Sequence, residues 1–513
     1  MGRSWVLHSP AAFGNFLNYF FQFLLFWPYN CFFSPSPSSS ASSWLTVSPK
    51  KFVESANEVR TFLEQMHSTL STFNNNTSGL PNGIQDCLDL LDMSSEQLRM
   101  SMSAMQNPKG KDHKLGTGNL SSDLRTWLSA VLTNSDTCIE GLEQGTAVKG
   151  LASKDLNRVM SMVKTLLAQV IPVHVDQVKK DQFPSWISEE DKMLLRENFR
   201  VRTPDAVVAT DGTGDYSKVT DAIRAAPDYS MKRFVIYVRR GIYLDEYVRI
   251  NATKWNIMLL GDGIGATVIS GSRNYADGYK TFNTATFAVD AVGFIACNIS
   301  FENTAGPEKD MAVALRSDSD LSIFYRCGIY GYQDSLYPHS KRQFYKECII
   351  AGTVDFIFGD ATAVFQSCQI LAKQGTLRQK NTITAQGRID PGESTGFSFQ
   401  FCNISADYDL KATTETYLGR PWRNFSRTIF MESHLSNVID PKGWLEMDGT
   451  HYSDTSTYCE YSNFGAGAKL DNRVKWPGYY ILDEREAQEF SVDKFIEGNL
   501  WLPSSGINYT GGL

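Results

Sequence analysis

Cys327-Gly328-Ile329-Tyr330-Gly331-Tyr332-Gln333-Asp334 is followed, 21 residues later, by Cys348-Ile349-Ile350-Ala351-Gly352-Thr353-Val354-Asp355. Each aspartate trails its cysteine by seven residues. If each step is one turn of a parallel β-helix, neighbouring strands stack roughly 4.8 Å apart and equivalent side chains of successive coils lie side by side. Two carboxylates that close do not both ionise readily. One stays anionic and the other protonated near neutral pH, which supplies a nucleophile or base and an acid from one residue type. Asp334 and Asp355 are therefore the leading candidates for a catalytic pair.

Aspartate is common in turns, so one matched spacing decides little; the wider repeat decides more. A Cys-x-Ile element recurs as Cys297-Asn298-Ile299, Cys327-Gly328-Ile329, Cys348-Ile349-Ile350, Cys368-Gln369-Ile370 and Cys402-Asn403-Ile404, at intervals of 30, 21, 20 and 34 residues. Self-similarity of this kind marks a solenoid. Each element reads as a short alternating strand whose inward residues form ladders along the coil axis. Cys327 and Cys348 hold equivalent positions one coil apart, and spacing alone leaves open whether they bridge or stack as buried free thiols.

The 513 residues suffice for two or more domains, and 42% hydrophobic with 20% charged residues is the balance of a chain that buries a core. The net charge of -7 argues against general nucleic-acid binding, which needs a basic face. An acidic polymer would have to be held by local positives such as Arg420. Residues 15–33 form an aromatic-rich apolar stretch after Arg3, and Ser34-Pro35-Ser36-Pro37 opens a flexible linker. The stretch reads as a secretory signal or an uncleaved anchor that holds the chain transiently at a membrane. Eight Asn-x-Ser/Thr sequons, among them Asn119, Asn251, Asn298, Asn403, Asn424 and Asn508, fit a secreted glycoprotein.

From Val47 to about Val175 the apolar residues recur at helical spacing. Ser48-Pro49 reads as a cap and first-turn pair, followed by Phe52, Ala56, Val59, Phe62, Leu63, Met66 and Leu70. Further stripes follow on Ile84, Cys87, Leu88 and Leu91, on Leu124, Trp127, Leu128, Val131 and Leu132, and on Leu156, Val159, Met160, Val163, Leu167 and Val170. Four such helices predict an antiparallel bundle, with Cys87 and Cys138 placed so that one disulfide could tie the second to the third. The bundle carries no catalytic constellation. Past Phe183-Pro184-Ser185-Trp186 the helical period fades, and from Val207 short β-rich runs alternate with Gly, Asn and Asp turns. The expected domains are 1–46 (leader and linker), 47–185 (four-helix bundle), 186–204 (linker or processing region) and 205–513 (β-helix).

Three motifs in order carry a resemblance: Gly331-Tyr332-Gln333-Asp334-Ser335-Leu336-Tyr337, Gly352-Thr353-Val354-Asp355-Phe356-Ile357-Phe358-Gly359, and Leu418-Gly419-Arg420-Pro421-Trp422. Together they resemble plant pectin methylesterases. Thr126-Trp127-Leu128-Ser129-Ala130 and Thr133-Asn134-Ser135-Asp136-Thr137-Cys138 resemble the inhibitor-like pro-region of those enzymes. The resemblance implies a right-handed parallel β-helix that hydrolyses galacturonate methyl esters of pectin (homogalacturonan) in the cell wall. It makes Asp355 the nucleophile, Asp334 the acid and then base, Gln333 an oxyanion donor, and Arg420 the group that orients Asp355. Trp422 and Tyr337 would offer flat faces to sugar rings, and Thr281 and Met311 fall at substrate-contacting positions. The inhibitor-like domain would act within the chain or in trans. No cofactor or metal is expected.

The chain departs from the family pattern in places. Met311-Ala312-Val313-Ala314-Leu315 stands where the family has Gln at the first position, and a thioether donates no hydrogen bond to an oxyanion. Gly241-Ile242-Tyr243-Leu244-Asp245-Glu246 has an altered acidic position, read as structural. The early cysteine pair of the pro-region is missing, and the interdomain basic signal is degenerate at Lys192-Met193-Leu194-Leu195. Two other readings compete: a glycoside hydrolase acting on the same polymer, since paired carboxylates suit that chemistry too, and a weakened homologue that only binds pectin. Gly392-Glu393-Ser394-Thr395-Gly396 matches a serine-hydrolase elbow but follows Asp390-Pro391 in a loop. Gly261-Asp262-Gly263-Ile264-Gly265-Ala266 lacks the βαβ context of a dinucleotide loop.

Overall fold

The structure, a computed structural model, describes residues 44–74, 83–107, 115–143, 146–173 and 203–513. The apolar stretch at 15–33 and the interdomain segment with Lys192 lie outside the described residues. No helix among the described residues is long and apolar enough to cross a membrane.

Four helices form the bundle: α1 (Pro49–Asn74), α2 (Gly83–Gln106), α3 (Leu120–Gly141) and α4 (Ala147–Ala168). Ser48 begins α1 as its spacing predicts, its hydroxyl accepting from the Lys51 amide at 3.3 Å. Phe52, Ala56, Val59, Leu63, Met66 and Leu70 bury one stripe of α1, and Ala152, Leu156, Val159, Val163 and Leu166 one stripe of α4. In α2 and α3 most residues are buried, polar ones included. These two helices are sandwiched between the rest of the bundle and the β-helix, so their second faces are polar yet covered. A disulfide joins Cys87 to Cys138, tying the start of α2 to the end of α3.

The β-rich part is a parallel β-helix of three sheets with eleven, seven and eight strands, whose neighbouring strands run parallel. Its coil rise is legible in one aromatic column. Phe324, Tyr345, Phe365, Phe399 and Phe430 stack face to face with successive centroids 4.8, 4.7, 4.5 and 4.4 Å apart. That spacing is the hydrogen-bonding distance between strands, so each ring repeats its neighbour one coil on. The short helix Val219–Ala225 sets Val219, Ala222 and Ile223 into the same core. Glu246 caps it, accepting from the amides of Val219 and Thr220 at 3.1 and 2.9 Å, so the altered acidic motif has a structural task.

The register corrects one expectation. Gly328 pairs with Ser300 and with Ile349, so Cys327 aligns with Cys348, Cys368 and Cys402, but on the preceding coil the equivalent residue is Ile299. Cys297 pairs instead with Tyr325, two positions earlier. The Cys-x-Ile likeness at 297 is thus out of phase with the true coil. Cys327 and Cys348 do not bridge; both are buried free thiols. Stacked side chains point the same way into the core, and each thiol donates to a carbonyl of the preceding coil: Cys327 to Ala296 at 3.4 Å, Cys348 to Phe324 at 3.2 Å.

Candidate active site

The seven-stranded sheet positions the site. Its strands Leu315–Ser317, Leu336–Pro338, Ile357–Gly359 and Asn381–Gln386 are successive neighbours. Leu315, Leu336 and Ile357 point into the core, which turns Arg316, Tyr337 and Phe358 outward. Asp334 and Asp355 stand two residues before Leu336 and Ile357, which pair directly, so the two aspartates share one register on adjacent coils. Both adopt left-handed backbone, with φ of 62° and 49°. Left-handed corners recur through the coils, as at Arg326, Glu347 and Ser367, so the conformation belongs to the turns of the solenoid and carries both carboxylates with it.

Arg420, one residue past strand Thr416–Gly419, forks onto Asp355. Its Nε donates to Oδ1 at 2.8 Å and its Nη2 to Oδ2 at 2.7 Å. Thr382 adds a second constraint that the sequence reading did not single out. Its hydroxyl donates to Asp355 Oδ1 at 2.6 Å while accepting from the Asp355 amide at 2.9 Å. Asp355 is therefore held by three donors, two of them charged. Asp334 has the opposite setting. Burial, and then the adjacent Asp355, push its carboxyl well above the usual carboxylate range, with Arg420 opposing. The two carboxyl groups thus sit in unequal settings, one forked by a guanidinium and the other buried beside it.

Thr281, Met311, Gln333, Asp334, Tyr337, Asp355, Arg420 and Trp422, all named from the sequence, line one cavity of about 400 Å³. Its aromatic floor is Tyr337 stacked on Phe358 at 4.0 Å, with the Trp422 ring edge-on to Phe358 at 5.8 Å. The bundle supplies part of the wall: Asp86 of α2, and Thr137, Glu140 and Gly141 of α3. Tyr337, Phe358, Ala385 and Trp422 share an apolar cluster with the bundle core. The cover is fastened by polar contacts. Thr133 donates to Asp360 at 2.8 Å, Thr137 shares a hydrogen bond with His339 at 2.8 Å, and Arg342 pairs with Asp123 at 2.8 Å. Burial pushes Asp86 up to about 7, with Arg316 opposing, and raises Glu140 despite Arg423.

Comparison with known proteins agrees with this fold. The family model described as Pectinesterase matches residues 205–499, and that of the plant invertase/pectin methylesterase inhibitor matches residues 28–168, beginning inside the segment read as leader and linker. A pectinesterase/pectinesterase inhibitor of Prunus persica is 54% identical, with 98% of each chain covered. A probable pectinesterase/pectinesterase inhibitor of Arabidopsis thaliana is 52% identical over 91% of this chain and 92% of its own. Among solved structures, pectin methylesterase from carrot is 50% identical with a TM-score of 0.60, covering 61% of this chain and 98% of its own. A pectin methylesterase in complex with a hexasaccharide is 25% identical with a TM-score of 0.51, covering 61% of this chain and 99% of its own. Fold and matches place the molecule among the carboxylic ester hydrolases built on a parallel β-helix. Within that class the chain belongs to the pectinesterase family and carries an inhibitor-family domain ahead of the enzyme domain.

Proposed function

We propose that the β-helix removes methyl esters from the galacturonate units of pectin, releasing methanol and leaving carboxylates. The observation that carries this reading is the pair of adjacent aspartates in unequal settings, Asp355 forked by Arg420 and Asp334 buried beside it. Asp355 attacks the ester carbonyl as the anion, Gln333 donates to the oxyanion, and protonated Asp334 gives its proton to the departing methanol. Asp334, now the base, takes a proton from water, whose hydroxide cleaves the acyl-enzyme and returns Asp355 as carboxylate. Thr382 and Arg420 hold Asp355 in its attacking position. Met311 supplies no donor, and a missing oxyanion donor costs on the order of a hundredfold in rate in other enzymes. A slow enzyme is the expected result.

In the intact chain the bundle lies over the aromatic floor and the carboxylate pair, which supports a restraining role for the inhibitor-like domain until the two parts separate. Export to the cell wall is the matching location, with residues 15–33 as leader or transient anchor and exposed Asn251, Asn403 and Asn508 as glycan acceptors. Asn119 suits that role poorly, being buried with its amide donating to Val173 and Glu497. Methanol release and new reducing ends, measured together on highly methylesterified pectin with residues 203–513, test the reaction. Methanol without reducing ends is expected. Reducing ends without methanol would transfer the assignment to glycoside hydrolysis, and neither product from a folded domain would leave a binding protein.

A further inference from the structure

Asn119 immediately precedes α3 and heads the sequon Asn119-Leu120-Ser121. Its side chain makes no cap bond to that helix. Both hydrogens of its amide are spent elsewhere: one on the Val173 carbonyl at 2.7 Å, the other on Glu497 Oε1 of the enzyme domain at 2.5 Å. Asn119 is 7% exposed and Glu497 6%. Ser121, the third residue of the sequon, is buried with its hydroxyl donating to the Ile171 carbonyl at 2.5 Å. In the docked chain the acceptor triplet is therefore closed by both domains.

The part of the enzyme domain that closes it is firmly held. Glu497 stands at a left-handed φ of 53°, and the buried Trp501 donates from its indole to the Ile496 carbonyl at 2.9 Å, pinning the turn from inside. Glu497 also pairs with Arg342 at 3.4 Å, and Arg342 is the arginine that fastens Asp123 of α3. A group inserted at Asn119 thus falls one helical turn from a fastening of the cover.

Order of synthesis exposes the triplet before docking shuts it. Glu497 comes 378 residues after Asn119. At ~5–20 residues per second it follows tens of seconds later. Until then the bundle itself engages one amide hydrogen, through Val173. In a secretory compartment, transfer forms a bond from Asn119 Nδ2 to the anomeric carbon of an oligosaccharide carried on a lipid pyrophosphate. The bond from that carbon to the pyrophosphate breaks, and one amide proton leaves. The remaining N–H serves Val173 or Glu497 but not both, and the bulky glycan fills the space that Glu497 needs.

We infer that Asn119 is an N-glycosylation site whose occupancy and domain docking are mutually exclusive, so that a glycan fixed during synthesis sets which chains carry an open cleft. The inference rests on the export reading and goes beyond it by giving one sequon a switching task.

The test uses the full chain secreted from plant or insect cells. Mass mapping gives the occupancy of Asn119, Asn251 and Asn403. Hydrogen exchange of peptides containing Asp334 and Glu497 gives the docked and open fractions, because a covalent glycan makes populations that do not interconvert. Residues 203–513 calibrate the open rate; they are about the share of this chain that the carrot enzyme matches with 98% of its own length, so a relative of this part folds without a bundle. Two-peaked exchange is expected, its fast fraction equal to the occupied fraction of Asn119. Ser121→Ala and Leu120→Pro each destroy the sequon and keep the Asn119 amide, proline being tolerated at a first helical position. Both should lose the fast fraction. A glycan on Asn119 in chains whose exchange stays uniformly slow would overturn the inference, as would a fast fraction that persists in both variants, or an empty Asn119 beside occupied Asn251 and Asn403. If all three are empty, the export reading falls and takes the inference with it.

Discussion

One sheet of this molecule has two faces with different histories. Inward, Leu315, Leu336 and Ile357 repeat the same kind of side chain from coil to coil, and the β-helix closes over them by itself. Outward, the same strands present Arg316, Tyr337 and Phe358, all different, and another domain covers them. The inward face is apolar and continuous with the aromatic column, so its burial is inseparable from folding. The outward cover is fastened by ion pairs and hydrogen bonds from Asp89, Asp123, Thr133, Asp136 and Glu140. Such contacts respond to pH and salt. The chemistry thus sits on the face that a second domain covers, with polar fastenings around a shared apolar patch.

The sharpest test of the inward face is Phe399→Ala, which removes a ring held between Phe365 and Phe430. A loss of about 3–5 kcal/mol in chemical denaturation is expected; under 1 kcal/mol would mean the column adds little to the solenoid. The outward face should answer in rate. Arg420→Ala strips both forked bonds from Asp355, and methanol release by residues 203–513 should fall by ~10²–10³-fold with little change in unfolding midpoint. A drop smaller than tenfold would break the link between fork and reaction.

The cover itself should loosen next. Asp123→Asn leaves Arg342 buried with Asp320 at 2.8 Å and Glu497 at 3.4 Å, so docking should weaken by about 2 kcal/mol, less than for a charge left with no partner. Faster hydrogen exchange in the cleft strands of the intact chain, with the aromatic column still protected, is the expected signature.

The smallest effect is the pH response. Asp86 lies near 7 when docked and near its ordinary value when the bundle is free in water, so the docked state binds more protons between roughly pH 4 and 7. Its contribution to docking is therefore full in acid and is lost as pH rises through about 7. Arg316, Arg249 and Lys280 oppose the rise, whereas the neighbouring Asp89 adds to it. Docking about tenfold weaker at pH 8 than at pH 5, with the difference reduced in Asp86→Asn, is the outcome to look for by hydrogen exchange.

Much of this was legible beforehand because solenoids and helices repeat. The 21-residue step put Asp334 and Asp355 in register, as the Leu336–Ile357 pairing does, and the stripes of α1 and α4 are those the apolar spacing predicts except at the half-buried Phe62 and Met160. Cys297 misled because a residue pattern can match while its phase does not; only the Cys297–Tyr325 pairing reveals the slip. Thr382 left no signal, since its value arises from Asp355 on another coil, 27 residues earlier. The second face of α3 was also hidden. Ser129, Thr133 and Thr137 carry no apolar signal, and their contacts with Ser394, Asp360 and His339 lie far off in the chain.

The central claim is that Asp355 is the group that attacks the ester. It is tested most directly by methanol release from highly methylesterified pectin by residues 203–513, beside the same domain carrying Asp355→Ala. Measurable release is expected from the parent, with a drop of at least ~10³-fold in the variant while its unfolding midpoint stays close to the parent's. A variant that keeps its rate within a few-fold would contradict it.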